Sequence, residues 1–473
     1  MKLTFWGAAR QVTGSMFLLE FDDDFRLLID CGMDMRSQEE DMPAFPGSLF
    51  PFEASMVNAV LLTHAHLDHS GKIPNLYREG FEGKIFTTFP TRDLTKLLLY
   101  DSANLNRRKI NDYHKKRSKI PNYEPKFNPE TLFLEKHVDE AIKGFSPLHF
   151  SKRYQLTKNI VVSLQPTGHL LGAASVYLEV TEGGKKKSFL FSGDIGRKDY
   201  PLLQDPAPMP QADYLICETT YGIRSHESRQ ETETAIAQAV KEACVDKPGR
   251  LLIPAFSVGR TQAIIYTLHK LFAKKKLPPI RIFSDSPLGQ ECNKAYDLYT
   301  NYLNEDSQEF SEKHKGLFNF EQMEYVESAL ESKRLASKKE PAIIISSSGM
   351  LEGGRIQFHI RANIQNPNCT ILMVGYSAEG TFGNQLLNMK NGMVELGQKN
   401  VPVLAKVIYT DAFSGHGDQN DLLEFVGYQD ASKLKNIFLV HGEEESMEGF
   451  SEVLKEKGYQ NVTMPEKGQS FEL

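Results

Sequence analysis

The sequence is poor in cysteine, and its few cysteines form no pattern. Five cysteines occur in 473 residues, each alone, with no Cys-x-x-Cys pair. This argues against a disulfide framework and against a cysteine-based zinc knuckle. Reduced thiols in the core are the simplest interpretation, and any bound metal must take its ligands from histidine and carboxylate side chains.

Long apolar runs and an excess of positive charge are also missing. No stretch approaches the ~18 consecutive apolar residues that a membrane span requires, and the N-terminus lacks the long apolar core of a signal peptide. These absences predict a cytoplasmic protein without membrane segments. The net charge of −6 excludes a protein that binds nucleic acid through overall basicity.

Positive charge is nevertheless concentrated in one segment, between Arg107 and Lys119. This segment contains seven basic side chains and a single acidic residue, Asp112. A run of this kind is typical of a solvated helix face. The alternative is a local surface that attracts phosphate, and the sequence leaves both interpretations open.

The distribution of apolar residues divides the chain into regions of different architecture. Short apolar runs near the N-terminus predict an antiparallel meander. From about residue 251 to residue 374, apolar runs alternate with helical stretches, which predicts a parallel sheet covered by helices on both faces. The change of pattern predicts a domain boundary near residue 222.

The densest cluster of potential metal ligands follows a buried strand predicted over residues 57–62. His64, His66, Asp68 and His69 lie within six residues of one another. One loop therefore offers three imidazoles and a carboxylate. These groups suit zinc and are enough to begin two adjacent metal sites.

Further candidate ligands come directly after other apolar strands. His169 lies in a glycine-bounded loop, whereas Asp30, Asp194 and His441 each follow a short apolar run. Each of them alone is a common turn or strand-end residue. Their shared position at strand ends favours one common site.

In this order the candidate ligands resemble the metallo-β-lactamase superfamily. The segments 217–222 and 413–418 are similar to motifs of its β-CASP branch, which includes the endonuclease of the mRNA cleavage and polyadenylation complex and its prokaryotic relatives. The resemblance implies an α/β fold, with an αββα metallo-β-lactamase sandwich formed by residues 1–222 and 402–473. A β-CASP domain, a parallel sheet flanked by helices, is expected as an insertion over residues 223–401.

The resemblance also implies roles within the site. Two zinc ions per chain are expected, with ligands divided into His64, His66 and His169 for one, Asp68, His69 and His441 for the other, and Asp194 bridging them. The expected catalytic residues are Asp68, the general acid His416, and Glu218, which would hydrogen-bond the His416 ring. Asp30 is expected to orient one of the ligand imidazoles from behind.

Other features concern the substrate. RNA-cutting members of the branch have histidine where DNA-cutting members typically have an apolar residue, and here that position is His441. Two loops, 254–262 and 346–355, join strands to helices and are predicted to bind phosphate. The alternative is that they are plain strand–helix turns. Arg260, Ser348 and Arg355 are accordingly expected to contact single-stranded RNA in a cleft between the domains.

The resemblance implies hydrolysis of RNA in processing or decay, with 5′-phosphate and 3′-hydroxyl products. Neither an N-terminal RNA-binding extension of the archaeal kind nor a C-terminal domain like that of ribonuclease J is recognisable, which favours endonucleolytic cutting over a 5′-exonuclease. The alternatives are a hydrolase of small thioesters or lactones and a non-catalytic RNA-binding scaffold. The inserted domain, Glu218 and His416 argue against the first, and the complete ligand set argues against the second. The oligomeric state stays open, a homodimer included.

Overall fold

The computed structural model describes residues 1–21, 24–34, 44–45, 47–120, 123–125, 127–226, 232–397 and 399–473. The chain forms two compact units. The first unit combines both ends of the chain and comprises Met1–Lys198, Asp205–Ser225 and His416–Leu473. The second unit comprises Asp199–Gln204 and His226–Gly415.

The elements of the first unit come partly before and partly after those of the second unit in the chain. Those before the insertion are β1 (Lys2–Phe5), β2 (Phe17–Glu20), β3 (Arg26–Ile29), β4 (Ala59–Leu61), α1 (Leu67–Ser70), α2 (Ile73–Arg78), β5 (Lys84–Thr88), α3 (Phe89–Arg117), α4 (Glu135–Lys143), β6 (Phe145–Leu148), β7 (Arg153–Thr157), β8 (Ile160–Pro166), β9 (Ala174–Glu182), β10 (Lys185–Phe191) and β11 (Tyr214–Glu218). Those of the second unit are α5 (Thr232–Val240), a π-helical turn (Lys241–Asp246), β12 (Arg250–Pro254), α6 (Arg260–Ala273), β13 (Ile282–Asp285), α7 (Pro287–Leu298), α8 (Glu305–His314), β14 (Met323–Tyr325), α9 (Ala329–Ala336), β15 (Ala342–Ser346), α10 (Ile356–Asn363), β16 (Cys369–Met373), α11 (Phe382–Leu387), β17 (Met393–Leu396), β18 (Lys399–Pro402) and β19 (Lys406–Tyr409). The chain then completes the first unit with α12 (Gln419–Gly427), β20 (Asn436–Val440), α13 (Glu444–Glu456), β21 (Val462–Thr463) and β22 (Gln469–Glu472).

Two sheets form the centre of the first unit. Among the described residues, each sheet has seven strands, in the orders β22-β1-β2-β3-β4-β5-β6 and β21-β20-β11-β10-β9-β8-β7. Their inner faces share one apolar core, in which Phe5 and Phe17 of the first sheet pack with Phe191 and Phe438 of the second. The two sheets are therefore stacked face to face.

Helices cover the outer face of each sheet. Because successive strand residues point to opposite faces, Leu28 and Val60 are directed away from the inner core and pack with Ile73 of α2. On the other sheet, Leu215 packs with residues of α12 and with Phe450 of α13. The resulting helix–sheet–sheet–helix order confirms the predicted αββα sandwich.

The second unit is built on a parallel sheet. In the described part of this unit the strand order is β14-β13-β15-β12-β16-β19, and neighbouring strands run parallel. Three consecutive residues of β15, Ile343 to Ile345, are fully buried, which requires cover on both faces. One face packs on Ile356 and Ile360 of α10. This architecture is the parallel sheet with flanking helices that the sequence predicts.

The chain returns to the first unit later than the sequence predicts. The predicted limit is residue 402, but β19 pairs with β16, with Lys406 opposite Thr370, as the edge strand of the second unit's sheet. The second unit therefore continues to Gly415. An apolar run indicates a strand without identifying its sheet, because its pairing partner is distant in the sequence.

Two global expectations concern membranes and thiols. Within the described ranges, no helix combines the length and the apolar character needed to cross a bilayer. All five cysteines are buried. Burial raises the pKa of the Cys244 and Cys369 thiols to about 12, so both are protonated side chains of the core.

Candidate metal centre

The loop after β4 begins the cluster of candidate ligands. β4 is wholly buried and ends at Leu61, and the chain then passes through His64 and His66 before it enters the single-turn helix α1. The Cys31 N–H donates to the carbonyl of His69 at 2.8 Å and so ties α1 to the end of β3. Gly32 lies against this turn, where a Cβ would be 1.7 Å from the Asp68 carbonyl oxygen. Only glycine allows this close approach of the two backbones.

Three other loops bring further ligands to the same place. His169 lies between β8 and β9, Asp194 follows β10, and His441 follows β20. All three are between 2% and 4% exposed. β10, β11 and β20 are neighbouring parallel strands, so their carboxyl ends lie at one edge of the sheet. The common strand-end position predicted from the sequence thus has a topological cause.

The first group of side chains contains three imidazoles and one carboxylate. His66 Nδ1 lies 3.1 Å from His64 Nε2 and 3.2 Å from His169 Nε2. Asp194 Oδ2 lies 3.4 Å from His64 Nε2 and 3.5 Å from His169 Nε2. These four side chains could hold one metal ion.

The second group lies beside the first. His69 Nε2 is 3.3 Å from His441 Nε2, which is 3.5 Å from Asp68 Oδ2. The three side chains form a second group that could hold a metal ion. The other oxygen of Asp194, Oδ1, is 3.3 Å from His69 Nε2. One carboxylate therefore faces both groups, with a different oxygen toward each.

The outer nitrogens of three imidazoles have their own partners. Asp30 Oδ2 lies 2.7 Å from His69 Nδ1, Thr63 Oγ1 lies 3.1 Å from His64 Nδ1, and Thr220 Oγ1 lies 3.1 Å from His441 Nδ1. Asp30 also accepts hydrogen bonds from the N–H and the hydroxyl of Thr63, at 2.8 and 2.9 Å. These partners favour the tautomers that carry the proton on Nδ1 and leave Nε2 free to bind a metal.

Burial and close charges shift the pKa values of the candidate ligands. Burial lowers the pKa of His64 well below its ordinary value and that of His66 to about 4. Burial opposes the charge of His69, but Asp194 and Asp30 outweigh it and hold its pKa well above the ordinary value. Burial likewise opposes ionisation of Asp68, but His441 and His69 lower its pKa to about 2.

The two groups fit a divalent metal. Zinc–nitrogen bonds of 2.0–2.1 Å in a tetrahedral arrangement separate ligand nitrogens by about 3.3 Å. The separations between ligand atoms in the first group, 3.1 to 3.5 Å, bracket this value. Asp194 Oδ1 is buried and lacks a hydrogen bond among the described residues. Buried imidazole nitrogens and a carboxylate oxygen packed this closely are a costly arrangement unless a cation lies among them.

Glu218 and His416 lie next to the first group. His416 Nδ1 is 3.3 Å from Glu218 Oε1, and the His416 ring centroid lies 4.5 Å from that of His169. Glu218 also accepts hydrogen bonds from the N–H of Ile195 at 2.6 Å and of Thr220 at 3.1 Å. Burial opposes the charge of His416, but Glu218, Asp194 and Asp68 together raise its pKa. Glu218 is thus a fixed acceptor for the His416 ring.

The predicted RNA contacts lie in the second unit, at the carboxyl ends of β12 and β15. These strands end side by side, with Pro254 opposite Ser346. The guanidinium of Arg355 donates to Asp285 Oδ1 at 2.9 Å and to the carbonyls of Val326 and Glu327, and so binds neighbouring strands together.

Ser348 and Arg260 also have partners within the second unit. The Ser348 hydroxyl donates to the Glu352 carbonyl at 3.0 Å. Arg260 lies over the Phe256 ring at 5.1 Å and donates through Nε to the Phe413 carbonyl at 3.1 Å. The contact of Arg260, Ser348 and Arg355 with RNA stays a prediction.

Two residues of the site, Thr63 and Thr220, were not predicted from the sequence. Each is a buried or half-buried threonine whose hydroxyl holds the outer nitrogen of a ligand imidazole. Thr63 immediately precedes His64, so adjacency to a ligand was an available signal. Thr220 is 221 positions from His441 in the chain, and no local pattern links the two.

Fold and site together define a class of protein. The histidine and aspartate side chains at the strand ends of this αββα sandwich fit a divalent-metal site, and a fold and site of this kind define a metal-dependent hydrolase. Three protein-family models match the chain: a metallo-beta-lactamase superfamily domain over 18–184, a Beta-Casp domain over 261–386, and a Zn-dependent metallo-hydrolase RNA specificity domain over 400–465.

Similar proteins cover nearly the whole chain. Ribonuclease TTHA0252 of Thermus thermophilus is 33% identical over 469 residues, 99% of each chain. An RNase J-like protein of Methanocaldococcus jannaschii is 30% identical over 446 residues, 93% of this chain and 92% of its own. Transcription termination factor FttA of Methanosarcina mazei is 30% identical over 460 residues, 94% of this chain and 67% of that protein. These matches confirm the family that the motifs indicate: the chain belongs to the β-CASP branch of the metallo-β-lactamase superfamily, and it is a ribonuclease.

Proposed function

We propose that this chain is a zinc-dependent endoribonuclease that cuts single-stranded RNA in the cytoplasm and leaves 5′-phosphate and 3′-hydroxyl ends. Two zinc ions are assigned to the two ligand groups, with Asp194 shared between them. When bound, zinc lowers the pKa of water and offsets the charge of a phosphodiester. The metal ligands alone do not distinguish RNA from a small ester. The pairing of His416 with Glu218 beside those ligands carries the assignment to phosphodiester cleavage.

His416 is the proposed general acid. A departing ribose 3′-oxygen needs a proton, and an imidazole held at a fixed angle beside the metal ligands can donate one. Glu218 Oε1 lies 3.3 Å from Nδ1 of this ring, so Nδ1–H can donate to it while Nε2 carries the proton to be transferred. Asp194 and Asp68 add negative charge nearby, which favours the protonated form of His416 before the phosphodiester bond is cleaved.

Glu218 is the residue that positions this acid. Its side chain is 1% exposed, and two backbone N–H groups donate to its carboxylate. The carboxylate is therefore held in place by the sheet edge whether or not substrate is present. Positioning by a preorganised acceptor lowers the cost of aligning the acid with the leaving group.

A circular single-stranded RNA tests the mode of cleavage, because it offers no end to an exonuclease. Zinc-loaded protein should linearise it, and the linear product should carry a 5′-phosphate that RNA ligase can rejoin to the 3′-hydroxyl. Linear RNAs with a 5′-triphosphate, monophosphate or hydroxyl should be cut at the same internal positions. Intact circles with degraded monophosphate RNA would show a 5′-exonuclease, and turnover of thioesters alone would overturn the assignment to RNA.

A His416→Ala variant tests the acid. Loss of a general acid should lower kcat by about 10²- to 10⁴-fold while the zinc content per chain stays unchanged. His149→Ala is the matched control, since it removes an exposed imidazole of the same unit that packs on Phe89. Undiminished cleavage by the His416 variant would refute the acid role.

A further inference from the structure

The second half of α3 is mostly exposed to solvent, unlike its first half. In the first half, Leu94, Leu99 and Ala103 are fully buried. From residue 107 to residue 120 the positions are exposed, apart from Ile110 and Tyr113, which are half-buried. A solvated helix of this length gains little from burial, and most helical stability in proteins comes from such packing. Stability of the fold therefore does not account for this extension.

We call residues 107–119 the basic arm, and its charge is highly uneven. It has seven lysine and arginine side chains and one aspartate, in a chain whose net charge is −6. Arg107 pairs with Glu135 at 3.0 Å, whereas Lys109, Lys115 and Lys119 have no ion pair within the described ranges. Like charges one helical turn apart repel one another. The arm keeps its charge at a cost to its own stability, which is expected of a surface that binds a polyanion.

Aromatic side chains accompany these charges. The rings of Tyr113 and Tyr123 lie 6.3 Å apart at a tilted angle. Lys116 lies over Tyr123 at 5.5 Å and Arg117 over Tyr113 at 5.9 Å. Basic side chains beside partly exposed aromatic rings are the composition that binds the phosphates and bases of a single strand. An acidic membrane would instead require a continuous apolar face opposite the charges, and the exposed residues of the arm form none.

The arm is connected to the metal centre through the same helix. Leu99 and Ala103 pack in one cluster with Leu67, the residue before Asp68. From Ala103 to Arg117, α3 extends about 21 Å at 1.5 Å per residue. At about 3.4 Å per stacked nucleotide, this distance corresponds to roughly six nucleotides. A strand longer than this can span the whole arm, whereas a four-nucleotide strand, about 14 Å long, falls short of Lys115 and Lys119.

We propose that the basic arm binds the phosphodiester backbone of the RNA substrate several nucleotides away from the bond that is cut. The proposal rests on the proposed function, because it assumes an RNA held at the metal centre. The arm then raises affinity for long RNA without taking part in the chemistry. It makes the enzyme selective for substrate length, and it makes binding strongly dependent on salt.

The test combines Lys109→Gln, Lys115→Gln and Lys119→Gln in one variant. These lysine side chains form no hydrogen bond or ion pair with another described residue, and glutamine keeps the helix propensity of lysine. The matched control replaces Lys158, Lys185 and Lys186, which are exposed in the same unit, by glutamine. A third variant replaces the three arm lysines by arginine and keeps the charge. Binding is measured by fluorescence anisotropy with a 30-nucleotide RNA, and cleavage with that RNA and with a four-nucleotide RNA.

The glutamine variant of the arm should bind the long RNA on the order of ten- to a hundredfold more weakly at about 0.15 M salt, and the slope of log K against log salt should fall by about 2. Its kcat/KM on the four-nucleotide RNA should equal that of the wild type. The control and the arginine variant should behave as wild type. Equal affinity of the arm variant and wild type for long RNA, or an equal loss in the lysine control, would overturn the proposal. Loss of binding to acidic vesicles with RNA binding intact would also overturn it. Anisotropy measures binding independently of cleavage. If the arm variant binds the long RNA more weakly but the wild type cuts neither RNA, the role of the arm is supported and only the proposed function is contradicted.

Discussion

Replacing Asp30 by asparagine alters a carboxylate that accepts three hydrogen bonds. Oδ1 accepts from the Thr63 N–H at 2.8 Å, and Oδ2 accepts from the Thr63 hydroxyl at 2.9 Å and lies 2.7 Å from His69 Nδ1. Asparagine retains one acceptor oxygen and places an amide N–H₂ at the other position. If the oxygen faces the Thr63 N–H, the amide faces Nδ1–H of His69, and two donors meet.

His69 can relieve this conflict only by moving or by changing tautomer. With Nδ1 as an acceptor, the proton resides on Nε2, the nitrogen that faces His441 and Asp194. That nitrogen is then unavailable to a metal ion. Loss of a hydrogen bond to a charged group costs about 1.5–3 kcal/mol, and loss of a ligand-orienting partner weakens metal binding by about 10- to 100-fold. The two estimates agree, since a factor of ten is about 1.4 kcal/mol.

The measurement is competition for zinc between the protein and a chromophoric chelator, which resolves the affinity of each site. Asp30→Asn should weaken the site containing His69 by about 10- to 100-fold and the other site by less. Asp213→Asn is the control, because Asp213 also accepts from the N–H and the hydroxyl of one residue, Ser188, at 2.8 and 3.0 Å. It lies before the first residue of β11, at the end away from Glu218. Unchanged zinc affinity in the Asp30 variant would refute the orienting role.

Three further expectations concern other parts of the molecule. Glu218→Gln should lower kcat on RNA by about 10²-fold or more with unchanged zinc content, because His416 loses its charged acceptor; a normal kcat would contradict this. Asp285→Asn should lower the free energy of unfolding at pH 7 by about 3 kcal/mol, because Asp285 is fully buried and accepts from Ser332, Arg355 and His359. These partners outweigh burial and lower the pKa of Asp285. Its contribution to the free energy of unfolding is therefore fully present above about pH 4 and is lost as the pH falls through the lowered pKa. Urea titrations at several pH values should show that the stability of the variant depends less on acid pH than that of the wild type. Removal of zinc with a chelator should lower the melting temperature of the first unit. The loss corresponds to about 4 kcal/mol when the zinc-loaded sample contains free zinc at 1,000 times Kd. Equal melting temperatures of the zinc-loaded and the zinc-free protein would contradict zinc binding to the folded state.

The grouping of the candidate ligands was largely predictable because each of them follows a recognisable strand. Apolar runs indicate strands, and a polar residue immediately after such a run lies at the sheet edge. His169 and Asp194 were found in this way, although they are distant from His64 in the sequence. The hydroxyls of Thr63 and Thr220 were not found, because any threonine near a strand end fits the same pattern. Only the fold shows which hydroxyl meets which imidazole.

The fold was predictable to the level of layers but not of strand partners. Alternating apolar residues fix which face of a strand is buried, and strand–helix alternation indicates a parallel sheet. Neither pattern states which sheet a late strand joins, so β19 was assigned to the wrong unit.

The position of the insertion explains why the acid and the ligands can share one unit. β11 and β20 are parallel neighbours, with Glu218 opposite Val440, and parallel neighbours require a crossover connection. The second unit occupies this connection. A crossover between parallel strands is already long, and lengthening it further adds little to the entropic cost of closing it. Glu218 ends the strand before the crossover, and His416 is the first residue after the second unit. The proposed acid and its positioning carboxylate therefore lie at the two ends of the insertion, yet both are held by the sandwich that holds the metal ligands. The αββα unit alone supplies the proposed chemistry, and what the second unit adds must be sought in the binding of RNA.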